Sequence, residues 1–195
     1  NAISNTETYF SIGGGFVEKE GKKNNIEKEK AEIPFPVETA SDMIHWCELE
    51  NKTIAQISLD NEMQWNNKIQ IYNRIDFLWK TMLSSIYEGC TTTGTLPGGL
   101  NVERRAAQLC HDLLGLNEFS SQQEWMDVIQ KQPNDMETVM KWVSCYALAV
   151  NEVNASYGKI VTAPTNGAAG VIPSVLLYDY IFRKKDKLKN IREFF

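Results

Sequence analysis

From Pro34 onward, apolar residues recur at intervals of three and four, the repeat that turns one face of a helix toward a core. Thr39 followed by Asp42 reads as an acidic variant of the capping box. It opens a helix through Met43, Ile44, Trp46, Cys47 and Leu49. A second helix is predicted over Thr53 to Trp65. A third runs from Lys68 to Glu88 on Ile71, Ile75, Leu78, Trp79, Met82 and Ile86, with Gly89 as its stop. After the turn-rich interval CTTTGTLPGGLNVERRA, a helix is expected from Val102 to Leu114. Ser120 or Ser121 then caps a short one carrying Trp125, Val128 and Ile129, which Pro133-Asn134-Asp135 breaks. Residues 136 to 157 hold the strongest helical pattern, with Met136, Val139, Met140, Val143, Tyr146, Ala147, Val150 and Val153 close to one face, and Gly158 ends it. Beyond a loop, VIPSVLLYDYIF reads as a helix starting near Ala168 or Ala169, with Pro173 tolerated in its first turn.

The first residues have a different texture. Thr8 to Ile12 is rich in strand formers, Gly13-Gly14-Gly15 follows, and Phe16-Val17-Glu18 resumes an extended pattern: strand, glycine bend, strand. The next stretch, EKEGKKNNIEKEKAE, is almost wholly polar and charged and reads as a solvated linker and a domain boundary. The expected fold is therefore mainly α, a helical bundle-like domain with a short β segment at its N-terminus. The chain starts without Met, and its last residues, DKLKNIREFF, still read as helical without a stop signal. A fragment cut at both ends is expected.

Charge narrows the partners. A net charge of −5 over 195 residues provides no basic field for nucleic acid or an anionic membrane, so a small molecule or a protein is the expected partner. No run reaches the ~20 apolar residues of a spanning helix. Cys47, Cys90, Cys110 and Cys145 are widely spaced with no C-x-x-C pair; they read as reduced thiols packed on helices, and a cytoplasmic location is expected. Most of the five tryptophans read as core or interface residues. The two histidines, His45 and His111, belong to no motif.

Chemistry concentrates in KIVTAPTNGAAGVIP, residues 159 to 173. Pro164 pushes Ala163 out of helical geometry, and Gly167 and Gly170 free the backbone, so Thr162 to Gly167 should form an ordered loop before a helix N-terminus. The first N–H groups of that helix, with Thr162, Thr165 and Asn166 beside them, suit a carboxylate or phosphate. Thr165 or Asn166 acting purely as the helix cap is the competing reading. The preceding helix end brings Asn151, Glu152 and Asn154, of which Asn151 and Asn154 share a face and Glu152 points about 100 degrees away. A second stretch, TLPGGLNVERRA, joins a glycine turn to Arg104 and Arg105. Cations there oppose a helix dipole and call for an acidic partner. In Asp60-Asn61-Glu62, Glu62 is either an acid or base or part of a solvated face.

VTAPTNGAAGVIP, preceded by ALAVNEVNASYGK, resembles the signature of the iron-sulfur-dependent, pyridoxal-phosphate-independent L-serine dehydratases. The same family pattern appears in order as ETYFSIGGGF at 7 to 16, NE at 61 and 62, LPGGL at 96 to 100 and RRA at 104 to 106. The resemblance implies that residues 1–20 are the C-terminal tail of a β domain, that 21–33 is the linker, and that 34–195 begin the helical α domain. The β segment would thus belong to an incomplete α+β domain.

The resemblance further implies α,β-elimination of water from L-serine to pyruvate and ammonia. A 4Fe-4S cluster would assist as Lewis acid, with its ligands downstream of Phe195, and no metal ligand is assigned within this chain. Thr162, Thr165, Asn166 and Gly167 would hold substrate, with Asn151 and Asn154 supporting the loop; the base lies outside. Where some relatives carry a cysteine in the glycine loop, this chain has Ala169. Expected partners are L-serine and the β domain of the same enzyme, with homodimer formation left open. A related helical lyase acting on cysteine, and a non-catalytic binding or regulatory protein, remain alternatives.

Overall fold

The computed structural model describes residues 6–13, 16–21, 32–115, 119–182 and 187–195. Among them are eight helices and one antiparallel hairpin, so the chain is mainly α with a small β element at its N-terminus. Strands β1 (Tyr9–Gly13) and β2 (Phe16–Lys19) pair Tyr9 with Lys19 and Ser11 with Val17, as the two extended runs predict. Gly14 and Gly15, and residues 22–31 of the charged linker, lie outside the described residues.

Capping decides where the early helices begin. Thr39, Thr53 and Asn67 each accept from the backbone N–H three residues on, and each donates its own backbone N–H to that residue's side-chain oxygen. They start α1 (Ala40–Glu50), α2 (Ile54–Glu62) and α3 (Lys68–Thr91). Helix α2 stops at Glu62, short of the expected Trp65. Helix α3 runs through Gly89, which is no stop: a Cβ on Gly89 would overlap the Ala149 backbone, 2.6 Å from its Cα. That glycine permits the helix crossing.

Helix α4 (Ala106–Leu114) begins four residues later than the pattern suggests, because Thr95 bridges to Glu103 and residues 102–104 are tied back to the chain at Gly94 to Leu96. Ser121 caps α5 (Gln122–Ile129), accepting from Glu124 N at 3.1 Å, and Asp135 caps α6 (Met136–Ala155). The buried stripe of α6 is rotated from the predicted face. Met136 and Met140 are 75% and 53% exposed, whereas Trp142, Cys145, Tyr146, Ala149, Val150, Glu152 and Val153 are buried.

Helix α7 (Asn166–Phe182) starts two residues before the expected position, which leaves Pro173 in its interior rather than in its first turn. Next to it, the Ser174 hydroxyl donates to the Gly170 carbonyl at 2.6 Å. Helix α8 (Lys187–Phe194) confirms the helical reading of the last residues.

Helices α3, α6 and α7 form the centre of the core, with α4 and α5 packed on it. Trp142 stacks on Tyr146 in its middle, and Trp125 meets Tyr146 edge-on. No disulfide joins any of the four cysteines. No described helix is long and apolar enough to cross a membrane.

Candidate active-site end of the bundle

A ten-residue connection, 156–165, leads from α6 to α7, so the C-terminus of α6 lies beside the N-terminus of α7. Thr165 is the N-cap of α7: its hydroxyl accepts from Ala168 N at 3.1 Å, and its carbonyl accepts from Ala169 N at 3.0 Å. The capping reading of Thr165 therefore holds, but it does not use up the site. A hydroxyl that accepts can still donate. The Asn166 and Gly167 N–H groups remain the first-turn donors without an intrahelical acceptor.

Asn154 Nδ2 donates to Asn166 Oδ1 at 2.9 Å, tying the two helix ends together on their exposed side. Asn151 lies one turn earlier on the same flank of α6, donating to the Ala147 carbonyl at 3.0 Å, while its Oδ1 is buried without a partner among the described residues. Asn151 sits against α7 where Gly170 passes. A Cβ on Gly170 would lie 2.9 Å from the Ala147 carbonyl oxygen and 3.1 Å from Asn151 Nδ2. Gly167 is different: an added Cβ would meet only Thr165 Oγ1, at 3.9 Å. Thr162 is exposed in the connecting loop. The structure thus brings Asn151, Asn154, Thr165, Asn166 and Gly167 to one place, with Thr162 three residues before the cap.

Glu152 points the other way around α6, as its position in the repeat requires. It is 3% exposed, and its carboxylate accepts from Arg105 N at 2.7 Å and from Ala106 N at 3.3 and 3.4 Å. It is the N-cap of α4, supplied from another helix. Arg105 occupies the cap position with no capping side chain of its own, and the negative charge lies at the positive end of the α4 dipole. No ion pair to the Arg104 or Arg105 guanidinium is found among the described residues; the acid at this helix start, Glu152, is bound by backbone instead.

The pattern had left Glu152 without a role; the signal that would have revealed it is a helix start, VERRAA, with no Ser, Thr, Asp or Asn to cap it. Arg104 donates from Nη2 to Ser156 Oγ, and its Nη1 is buried without a partner among the described residues. Ser156 in turn donates to the Glu152 carbonyl at 2.7 Å.

The Thr95–Glu103 hairpin is consequently anchored at the same end of the bundle. Leu96 N donates to Val102 O at 2.8 Å, Arg104 N donates to Gly94 O at 2.9 Å, and Gly98 takes a φ of 120° at the tip, where Leu100 is 88% exposed. Asp60-Asn61-Glu62 shares no hydrogen bond with these residues among the described ones, although Lys159 of the connection packs on Phe77, one turn from Arg74. Asn61 clamps the Phe35 backbone through both of its amide atoms, at 3.0 and 2.7 Å, and Asp60 pairs with Lys52 at 3.0 Å. Glu62 accepts from Asn66 at 3.3 Å and lines a cavity of about 610 Å³ with Arg74 and Arg192. His45 packs on Trp46, and His111 lies 3.5 Å from Asp112; neither joins the site.

Residues 49–195 match the family model described as the serine dehydratase alpha chain. An L-serine dehydratase of Haemophilus influenzae is 40% identical over 172 residues, which cover 88% of this chain and 35% of the relative. L-serine dehydratase 1 of Escherichia coli is 36% identical over 173 residues, covering 89% and 35%. An L-serine dehydratase of Streptomyces coelicolor is 35% identical over 175 residues, again covering 89% and 35%. The chain spans about a third of the length of these curated relatives. Its helical body, carrying the TAPTNG cap and the LPGGL hairpin at one end, belongs to the serine dehydratase alpha chain family.

Proposed function

We propose that the protein containing this chain is an L-serine dehydratase, converting L-serine to pyruvate and ammonia. The α-proton and the β-hydroxide leave to give an aminoacrylate, which tautomerises and hydrolyses. The observation that carries this reading is the α6–α7 junction. Asn166 and Gly167 offer N–H groups with no acceptor among the described residues at a helix N-terminus, Asn154 fixes the Asn166 amide, and Gly167 leaves the approach open. In this reading the substrate carboxylate sits on the Asn166 and Gly167 N–H groups and the Thr165 hydroxyl. The Asn166 amide and Thr162 contact the polar substituents of serine, and Asn151 and Asn154 support the loop from α6.

The 4Fe-4S cluster implied by the family resemblance does not fit the described residues. Cys90, Cys110 and Cys145 are sealed in the core and Cys145 donates to the Ala106 carbonyl, so they offer no open face for iron and substrate together. We place its ligands, and the base that takes the α-proton, outside this chain. Residues 1–20 are read as the end of a β domain that closes the substrate site, and 34–195 as the start of the α domain.

The test is turnover of L-serine by the intact protein, purified and assayed without oxygen, with pyruvate and ammonia in equal amounts as the expected products. Sulfide release from L-cysteine in preference to pyruvate from L-serine would transfer the assignment to a cysteine lyase. Binding of L-serine without turnover would transfer it to a regulatory protein.

A further inference from the structure

A cleft of about 610 Å³ opens where α2, α3 and α8 meet, and the proposed dehydration does not use it. One wall is a row of every fourth residue: Asn66, just before α3, then Gln70, Arg74 and Leu78 along it, stacked on one face as the helical repeat requires. Glu62 enters from α2 and Arg192 from α8. Between them the lining is apolar, with Leu59 from α2 and the buried Ile71 and Ile75 from α3. The cleft is separate from the α6–α7 junction: Glu88, which lies beside Gly158 of the connection, is about 21 Å further along the α3 axis than Arg74.

The charged groups of the cleft have bonding capacity to spare. Arg74 makes no hydrogen bond or ion pair among the described residues; its guanidinium rests on the Phe77 ring, 5.5 Å from the centroid. Arg192 donates from Nη2 to Asp76 at 3.0 Å, while its Nε is buried without a partner among the described residues. Glu62 accepts from the Asn66 amide at 3.3 Å and pairs with no cation among the described residues, and the Asn66 Oδ1 is left to accept.

Asp76 offsets Arg192 and Glu62 balances Arg74, so the group carries no net charge. A simple anion would be drawn by Arg74 and repelled by Glu62, and a simple cation would meet the reverse. A ligand that carries both charges satisfies both ends. The ends are within reach of one small molecule. Arg74 and Asn66 are about 12 Å apart along the axis, but long helical side chains lean toward the N-terminus, which carries the Arg74 guanidinium back along the row toward Glu62.

We propose that this cleft binds a free α-amino acid with an aliphatic side chain. Its carboxylate lies on Arg74 and Arg192, its ammonium on Glu62 and the Asn66 Oδ1, and its side chain on Leu59, Ile71, Ile75 and Leu78. Such a ligand has no β-hydroxyl to lose, so it is not a dehydration substrate.

The test is isothermal titration calorimetry on the intact protein with three probes: L-valine, isovalerate, which lacks the ammonium, and isobutylamine, which lacks the carboxylate. One valine per chain is expected, with each single-charge analogue bound at least about tenfold more weakly. Glu62→Gln should weaken valine about tenfold and leave isovalerate no weaker; Arg74→Gln should weaken valine about tenfold and leave isobutylamine no weaker. Both side chains are exposed and free of ion pairs among the described residues, so unchanged thermal unfolding should show that the variants fold. Asn166→Ala, at the other site, should bind valine as before. The proposal is overturned if the intact protein binds no valine, or if isovalerate binds as tightly as valine, which would make the cleft an anion site. It is overturned equally if Asn166→Ala abolishes valine binding while Glu62→Gln keeps it, which would place valine at the α6–α7 junction. None of these outcomes depends on serine turnover.

Discussion

Four glycines of this molecule form two contrasting pairs, and the pairs fall in two regions. At the crossings of α6 with α3 and α7, Gly89 and Gly170 are present because α6 occupies the space a side chain would need. The Ala149 backbone faces one and the Ala147 carbonyl the other. At the end of the bundle, Gly99 has nothing within 4 Å of an added Cβ and Gly167 has only the Thr165 hydroxyl at 3.9 Å, and neither takes a positive φ. Packing and backbone geometry account for the first pair completely and for the second pair not at all. A glycine that the fold does not require leaves room for something approaching from outside. The comparison separates residues that hold the bundle from residues that the bundle presents.

The sharpest way to break this division is Gly89→Ala. The new methyl would overlap the Ala149 backbone, which cannot yield as a flexible side chain would, so α3 and α6 must separate. A loss of about 3 kcal/mol or more in urea denaturation is expected, with poor expression a reasonable accompaniment. A loss under about 1 kcal/mol would show that the crossing is looser than its geometry states.

At the other end the expected effect is on function. Asn166→Ala removes the amide bound by Asn154 while leaving Thr165 to cap α7. We expect kcat/KM for L-serine in the intact protein to fall about a hundredfold, with stability changed by less than about 1 kcal/mol. Equal losses in both would assign Asn166 to the helix start alone.

The contrast also marks what a single sequence could reveal. Helix starts were legible at Thr39 and Ser121 because a short polar side chain adjacent in sequence does the capping. Gly89 reads as a stop in the sequence because a glycine that ends a helix and one that admits a neighbouring helix look alike until the neighbour is placed. The face of α6 was misjudged for a related reason. Large, mobile methionines at 136 and 140 suggest a core, yet the buried stripe is set by where α3, α4 and α7 lie. At the candidate site, the asparagines and the Thr165 loop were readable from local chemistry. Glu152 was not, because its partners are 46 and 47 residues away and are backbone groups, which carry no residue signature.

Glu152 lies between the two regions, a buried charge that joins hairpin to bundle. Glu152→Ala should leave the Arg105 and Ala106 N–H groups unsatisfied and cost about 2 kcal/mol, read as a lower denaturation midpoint with an unchanged slope. Glu152→Gln keeps an acceptor oxygen and should cost about half as much, the difference being the charge on the α4 dipole. If Gln were as damaging as Ala, hydrogen bonding to the α4 backbone would not be the role of this side chain.

The smallest effect on stability belongs to Gly167→Ala, and it is the most discriminating. Gly167 lies in the first turn of α7, where alanine favours the helix and narrows the unfolded ensemble; with 3.9 Å to its nearest neighbour, the new methyl strains nothing. Stability should hold or rise by about 0.5 kcal/mol. The same methyl stands beside the N–H groups assigned to the substrate carboxylate, so KM for L-serine should rise about tenfold while the folded protein becomes no weaker. Gly170→Ala, three residues on, should do the reverse, unfolding more easily because the Ala147 carbonyl blocks it. Opposite signs from one substitution at neighbouring glycines would place the boundary between presented surface and packed core within a single turn of α7. A loss of stability at Gly167, or an unchanged KM, would erase that boundary.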